Sequence, residues 1–160
     1  MTKSKKHLCI LLMLLLCNIS SCDFNFNKNV DGIVVDEYLW SEADDYGIDY
    51  CKLLKKALDG ERGALRQFVN LEIFDADLWS QHYEVIVKII RKKGERFFIN
   101  QMCYCTHTEK ERLLEMINFG IWYECDSEEE ALMMNDEENT KTEFPLIYEW
   151  LTSDETPDDT

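Results

Sequence analysis

The chain has 160 residues, with 32 acidic against 17 basic side chains and a formal net charge of −15. That length suits one ordinary domain, long enough to bury a core unaided. The charge argues against nucleic acid as a partner, because phosphate backbones are held by a surplus of lysine and arginine. It favours basic proteins or cations, or keeps the surface soluble.

The first segment has three parts. Lys3, Lys5 and Lys6 form a basic lead, Leu8 to Cys17 form an uncharged apolar run, and Ile19-Ser20-Ser21-Cys22 follows. A basic region, an apolar region and small residues at a cleavage point are what a secretory signal peptide requires. The apolar run has ten residues, whereas a helix spanning the ~30 Å hydrocarbon layer needs about 20.

Ile19-Ser20-Ser21-Cys22 resembles the lipobox of the bacterial lipoprotein class. The resemblance covers the first 22 residues only. It implies that residues 1–21 are a removed signal peptide and that Cys22 becomes the first mature residue, carrying lipid on its sulfur and its amine. The membrane is then a partner through palmitate-type acyl chains on Cys22, and the location is the bacterial cell envelope. Asp23 comes next. In enteric bacteria an aspartate there marks inner-membrane retention, but other groups follow other rules, so inner and outer membrane both stay open. The three charges removed with the signal are lysines, which takes the net from −15 to −18.

Residues 22–48 read as the lipid attachment site, an asparagine-rich tether and an irregular lead-in, in which the β-branched run Ile33-Val34-Val35 is either a strand or an extended segment. A helical core is expected over 49–125. Cys51, Leu53, Leu54, Ala57 and Leu58 recur at helical spacing, ended by Asp59-Gly60. A second helix is expected over 61–71, and a third from Trp79 to Lys93, with Arg91, Lys92 and Lys93 at its negative end and Gly94 as its stop. A fourth follows from Glu95 to about Tyr104. Thr108 and Glu111 form a capping box for a fifth, whose stripe is Leu113, Leu114, Ile117 and Ile121. Residues 126–143 read as an acidic loop. Residues 144–152 form a last helix opened by Pro145, and 153–160 a disordered acidic tail. The fold class expected is mainly α, with five to six short helices packed as antiparallel hairpins in one domain. The alternative is α+β with a hairpin near 84–105, since residues 85–90 are rich in β-branched side chains.

Four cysteines remain after the signal and Cys22: Cys51, Cys103, Cys105 and Cys125. They are candidates for disulfides in an oxidising compartment or for buried structural thiols. Cys103-x-Cys105-x-His107 has zinc-type ligands, but alternate residues converge only on a strand, and the segment reads as a helix end. Asp75-x-Asp77 departs from a calcium loop at Trp79 and Ile86. No metal and no cofactor are therefore expected. His82 is a candidate general base if Asp75 or Asp77 lies beside it, yet no catalytic motif is present and no catalytic residue is assigned. Gly60-Glu61-Arg62 recurs as Gly94-Glu95-Arg96, a weak hint of paired helices. Whether the chain is an enzyme is left open, with the balance against it. The functional expectation is a lipid-anchored acidic binding or inhibitor-type protein, immunity-like, that captures a basic protein. The alternatives are an envelope hydrolase using His82 or paired carboxylates, and a purely structural lipoprotein.

Overall fold

A computed structural model describes residues 26–72, 74–123 and 136–153. Cys22, Cys125, the signal segment and the C-terminal tail lie outside the described residues. The fold is mainly α, with eight helices and one two-stranded sheet among the described residues. None of these helices is long and apolar enough to cross a membrane.

The first ordered segment corrects the expected irregular lead-in. Strands β1 (Lys28–Val30) and β2 (Ile33–Val35) pair antiparallel, with Val30 opposite Ile33. Asp31-Gly32 makes the turn, and both residues take positive φ, 51° and 88°. A two-residue hairpin loop needs this to match the twist of its strands. Asn29 Oδ1 accepts from Gly32 N at 2.8 Å and closes it. Val30, Ile33 and Val35 are buried, so the hairpin belongs to the core. The hairpin weighed for residues 84–105 is absent, and that stretch is helical.

Helix α1 (Glu37–Asp45) starts at Asp36, whose carboxylate accepts from Tyr38 N at 2.9 Å. It ends in a Schellman motif: Ile48 N donates to Ala43 O and Gly47 N to Asp44 O. Asp49 then caps α2 (Tyr50–Leu58) by accepting from Lys52 N. The second helix, α3 (Ala64–Val69), is shorter than expected because Gly63, at φ 77°, occupies its N-cap.

Helix α4 (Ala76–Lys93) begins three residues before the expected Trp79, since Asp75 is its N-cap and accepts from Leu78 N at 3.1 Å. Val85, Ile86, Val87, Ile89 and Ile90 are all buried. A helix apolar on most sides lies inside its domain, and α4 packs against α1, β2, α5 and α6. This near-continuous burial, interrupted within 85–90 by half-buried Lys88, explains why the stretch also resembles a strand.

Gly94 separates α4 from α5 (Glu95–Met102). Helix α6 (His107–Tyr123) opens with a capping box two residues before the expected one: Glu109 N donates to Thr106 Oγ1, and Thr106 N to Glu109 Oε2 at 2.8 Å. Glu109 also holds Arg66 of α3 at 2.7 Å, which favours the earlier box. The largest packing surface joins α4 to α6, so helices are not all paired with their chain neighbours. Gly120 sets its closeness: an added Cβ would stand 2.6 Å from the Tyr83 carbonyl oxygen and 2.7 Å from Val87 Cγ2.

Residues 136–143, expected within an acidic loop, form α7 (Asp136–Glu143). The helix is fixed by a polar contact, with Thr140 N and Oγ1 both donating to Asn118 Oδ1 in the interior. Helix α8 (Pro145–Thr152) has proline in its first turn, as expected. Glu95 Oε2 accepts from Ile147 N at 2.9 Å at its start. Buried Lys110 donates to Trp150 O at 3.1 Å and Ser153 O at 3.3 Å at its end. An anion and a cation thus satisfy opposite ends of the helix dipole.

Leu113, Ile117 and Ile121 are buried with Ile86 and Ile90, as their i, i+4 spacing predicts. Ile117→Ala removes a fully buried side chain and leaves a cavity between α4 and α6, so it should cost about 2–5 kcal/mol. Urea unfolding of the variant checks this. A loss below ~1 kcal/mol would contradict the packing.

Candidate functional site

His82 is fully buried. Its Nδ1 lies 2.9 Å from the Tyr50 hydroxyl, a bond that joins α4 to α2. The rings of Phe68, Phe74 and Tyr50 surround it at centroid distances of 5.0, 5.1 and 5.8 Å. Nε2 has no partner at hydrogen-bonding geometry, although the Phe68 and Val69 carbonyls lie near enough to favour a proton there. Burial outweighs them and pushes the imidazole pKa down to about 3, with a smaller push from Arg112. The Tyr50 hydroxyl is pushed well up, again by burial first. Asp75, the proposed partner, is exposed and caps α4, and the side chain of Asp77 lies outside the described residues. His82 therefore has neither the solvent access nor the neighbouring Asp75 carboxylate that a general base requires. It is a core histidine that ties two helices together.

The described cysteines are free thiols: Cys51 and Cys103 are half-buried and Cys105 is buried. Burial pushes the Cys105 thiol up to about 11 and also raises Cys51. Cys103 and Cys105 follow α5, and His107 starts α6 with its ring beside Glu111 at 3.5 Å. Among the described residues no group of three or more histidine, cysteine, aspartate and glutamate side chains is placed to hold a metal.

One surface cleft lies where the hairpin meets α4 and α6. A cleft of about 310 Å³ is lined by Val34, Asp36, Gln81, Glu84, Lys88 and Tyr123, among others. Glu84 and Lys88 bond one another across one helical turn, and the Gln81 side-chain oxygen is buried without a hydrogen-bond partner. Beside the cleft runs a strip of aromatic rings. Trp79 meets Tyr83 at 5.5 Å, Tyr83 meets Phe119 at 6.0 Å, and Phe119 meets Trp122 at 5.3 Å. Phe119, Trp122 and Tyr123 keep 45 %, 39 % and 43 % of their surface exposed. Isolated exposed apolar residues are ordinary, whereas a connected aromatic strip beside a polar cleft is the anatomy of an interface.

The strip pairs positions 79 and 83 with 119 and 122 on another helix, so no single stretch of the sequence shows it whole. The i, i+4 spacing of Trp79 and Tyr83, and the i, i+3 spacing of Phe119 and Trp122, are the signals that point to two aromatic faces.

The His82 environment has a consequence for acid stability. The unfolded imidazole takes up a proton near pH 6.5, while the folded one resists it down to about 3. Its contribution is complete above pH 6.5 and is lost progressively as pH falls toward 3. Between pH 7 and 5 the loss should be about 2 kcal/mol. Urea unfolding at both pH values checks this, with His82→Leu expected to flatten the dependence. An equal slope in the variant would contradict it.

No family model, curated protein or solved structure matches the chain, so its functional reading rests on its own residues.

Proposed function

We propose that this is a lipid-anchored, acidic binding protein of the bacterial envelope, held to the membrane through lipid on Cys22, that captures a basic protein in the manner of an immunity or inhibitor protein. The observation that carries the reading is the exposed aromatic face of Phe119, Trp122 and Tyr123 on α6, with Tyr123 also lining the cleft edged by Asp36 and Glu84. Aromatic faces attract cations through their quadrupole, and carboxylates at the rim pair with lysine or arginine. A basic side chain entering the cleft competes with Lys88 for Glu84, and the Gln81 carbonyl offers a further acceptor. The charge of −18 left after cleavage at Cys22 steers a basic partner to the surface. The burial of His82 weighs against a hydrolase that uses it.

Two measurements test the reading with full-length protein. Fractionation with intact-mass analysis should show a membrane-bound, cleaved and acylated wild type, while Cys22→Ala is released or left uncleaved, since two or more acyl chains are needed for stable anchoring. Pull-down from envelope extracts should retain a basic protein at low salt and release it at high salt. Tyr123→Ala and Glu84→Gln should each weaken retention about tenfold, the effect of ~1.4 kcal/mol. A soluble, unacylated wild type overturns the anchor. Retention that is indifferent to salt and to both substitutions overturns the interface.

A further inference from the structure

A second cleft, of about 380 Å³, lies between the Gly60–Gly63 turn with α3 and the end of α5. It is lined by Arg62, Arg66, Asn100, Gln101, Cys103 and Tyr104, with two glycines and Met102 completing it. Its volume is within the range of small-molecule sites. No carboxylate lines it, although the chain carries almost twice as many acids as bases.

The acids nearest in sequence are already committed. Glu61 holds Lys56 at 2.9 Å, and Glu109 holds Arg66 at 2.7 Å while closing the α6 capping box. Arg62, by contrast, makes no hydrogen bond or ion pair among the described residues, and neither do the side-chain amides of Asn100 and Gln101 or the Tyr104 hydroxyl. Four residues with uncommitted side-chain donors and a second guanidinium therefore line one concave surface. A guanidinium presents a planar fork of donors that matches two oxygens of a carboxylate or phosphate. The amides add neutral donors, and the Tyr104 ring, 71 % exposed, supplies an apolar wall at the rim. The Arg62 charge has no carboxylate across the cleft to cancel it, so its field is focused there.

We propose that this cleft binds an oxyanion, a phosphate or carboxylate group of a small molecule, gripped by Arg62 and flanked by Arg66, Asn100 and Gln101. The site is separate from the aromatic strip and does not depend on capture of a basic protein.

Cys103 gives a reporter inside the cleft. Its thiolate displaces iodide from iodoacetate or iodoacetamide, forming an S–C bond with iodide leaving. The ratio of the two rates, compared between thiols, isolates the effect of reagent charge. Full-length protein is alkylated under native conditions and mapped by peptide mass spectrometry, with half-buried Cys51 as internal reference. The iodoacetate-to-iodoacetamide ratio at Cys103 should exceed that at Cys51 by about tenfold. Arg62→Ala should abolish the excess with the circular dichroism spectrum unchanged, as expected for an exposed side chain without a partner, and Gln101→Ala should reduce it. Inorganic phosphate and acetate are then added at constant ionic strength against chloride. Protection of Cys103 by phosphate alone identifies a phosphate site, by acetate alone a carboxylate site, and by both a general oxyanion site. Equal ratios at the two thiols, or no protection by either anion, overturns the proposal.

Discussion

The structure depends on how closely α4 and α6 approach at Gly120. There the backbone of α6 meets the Tyr83 carbonyl of α4 with no space for a side-chain carbon. Ile86 and Ile90 of α4 and Leu113, Ile117 and Ile121 of α6 are buried in the same core. Helix α4 buries most of its middle turns because it is the shared wall of two layers, with the hairpin and α1 packed at one side and α6 at another, while Glu84 and Lys88 face the cleft. The same approach aligns Tyr83 with Phe119 and so continues the aromatic strip across two helices. Core geometry and candidate interface thus arise from one contact.

The outer helices are held by polar groups that act from a distance in the chain. Helix α8 is bounded by Glu95 at its start and Lys110 at its end, so it docks through satisfied backbone groups as well as through Ile147 and Leu151. Helix α7 has little apolar surface of its own and is fixed by the Thr140–Asn118 pair and by Arg91 reaching Glu143 at 2.5 Å. Exposed ion pairs contribute at most about 1 kcal/mol. The buried pair matters more, because breaking it leaves a polar atom without water or partner.

Much of this was legible in the sequence where apolar spacing carries the information. The stripes of α2 and α6, the glycine stop of α4 and the proline start of α8 stand where the pattern puts them. The β-branched run Ile33–Val35 shows as a candidate strand, but its partner Lys28–Val30 was missed because a three-residue strand shows almost no alternation, although Asp31-Gly32 is a turn signal by itself. Helix α7 was missed because its anchor is hydrogen-bonded and leaves no apolar stripe. The capping box was placed two residues late because Thr106-x-x-Glu109 and Thr108-x-x-Glu111 overlap, and only the tertiary contact with Arg66 selects between them. The acidic surplus was plain from composition, while both clefts combine side chains from distant segments and have no local signature.

Urea unfolding of Gly120→Ala tests the central contact most directly. In an exposed helix interior this change stabilises by about 1 kcal/mol, because alanine is the better helix former. At the α4–α6 crossing the added carbon meets a backbone carbonyl that has no flexible end to move aside. The account predicts a net loss of about 1–3 kcal/mol or more, together with altered near-ultraviolet circular dichroism from the displaced Tyr83, Phe119 and Trp122 rings. Unchanged or increased stability with an unaltered aromatic spectrum would contradict it.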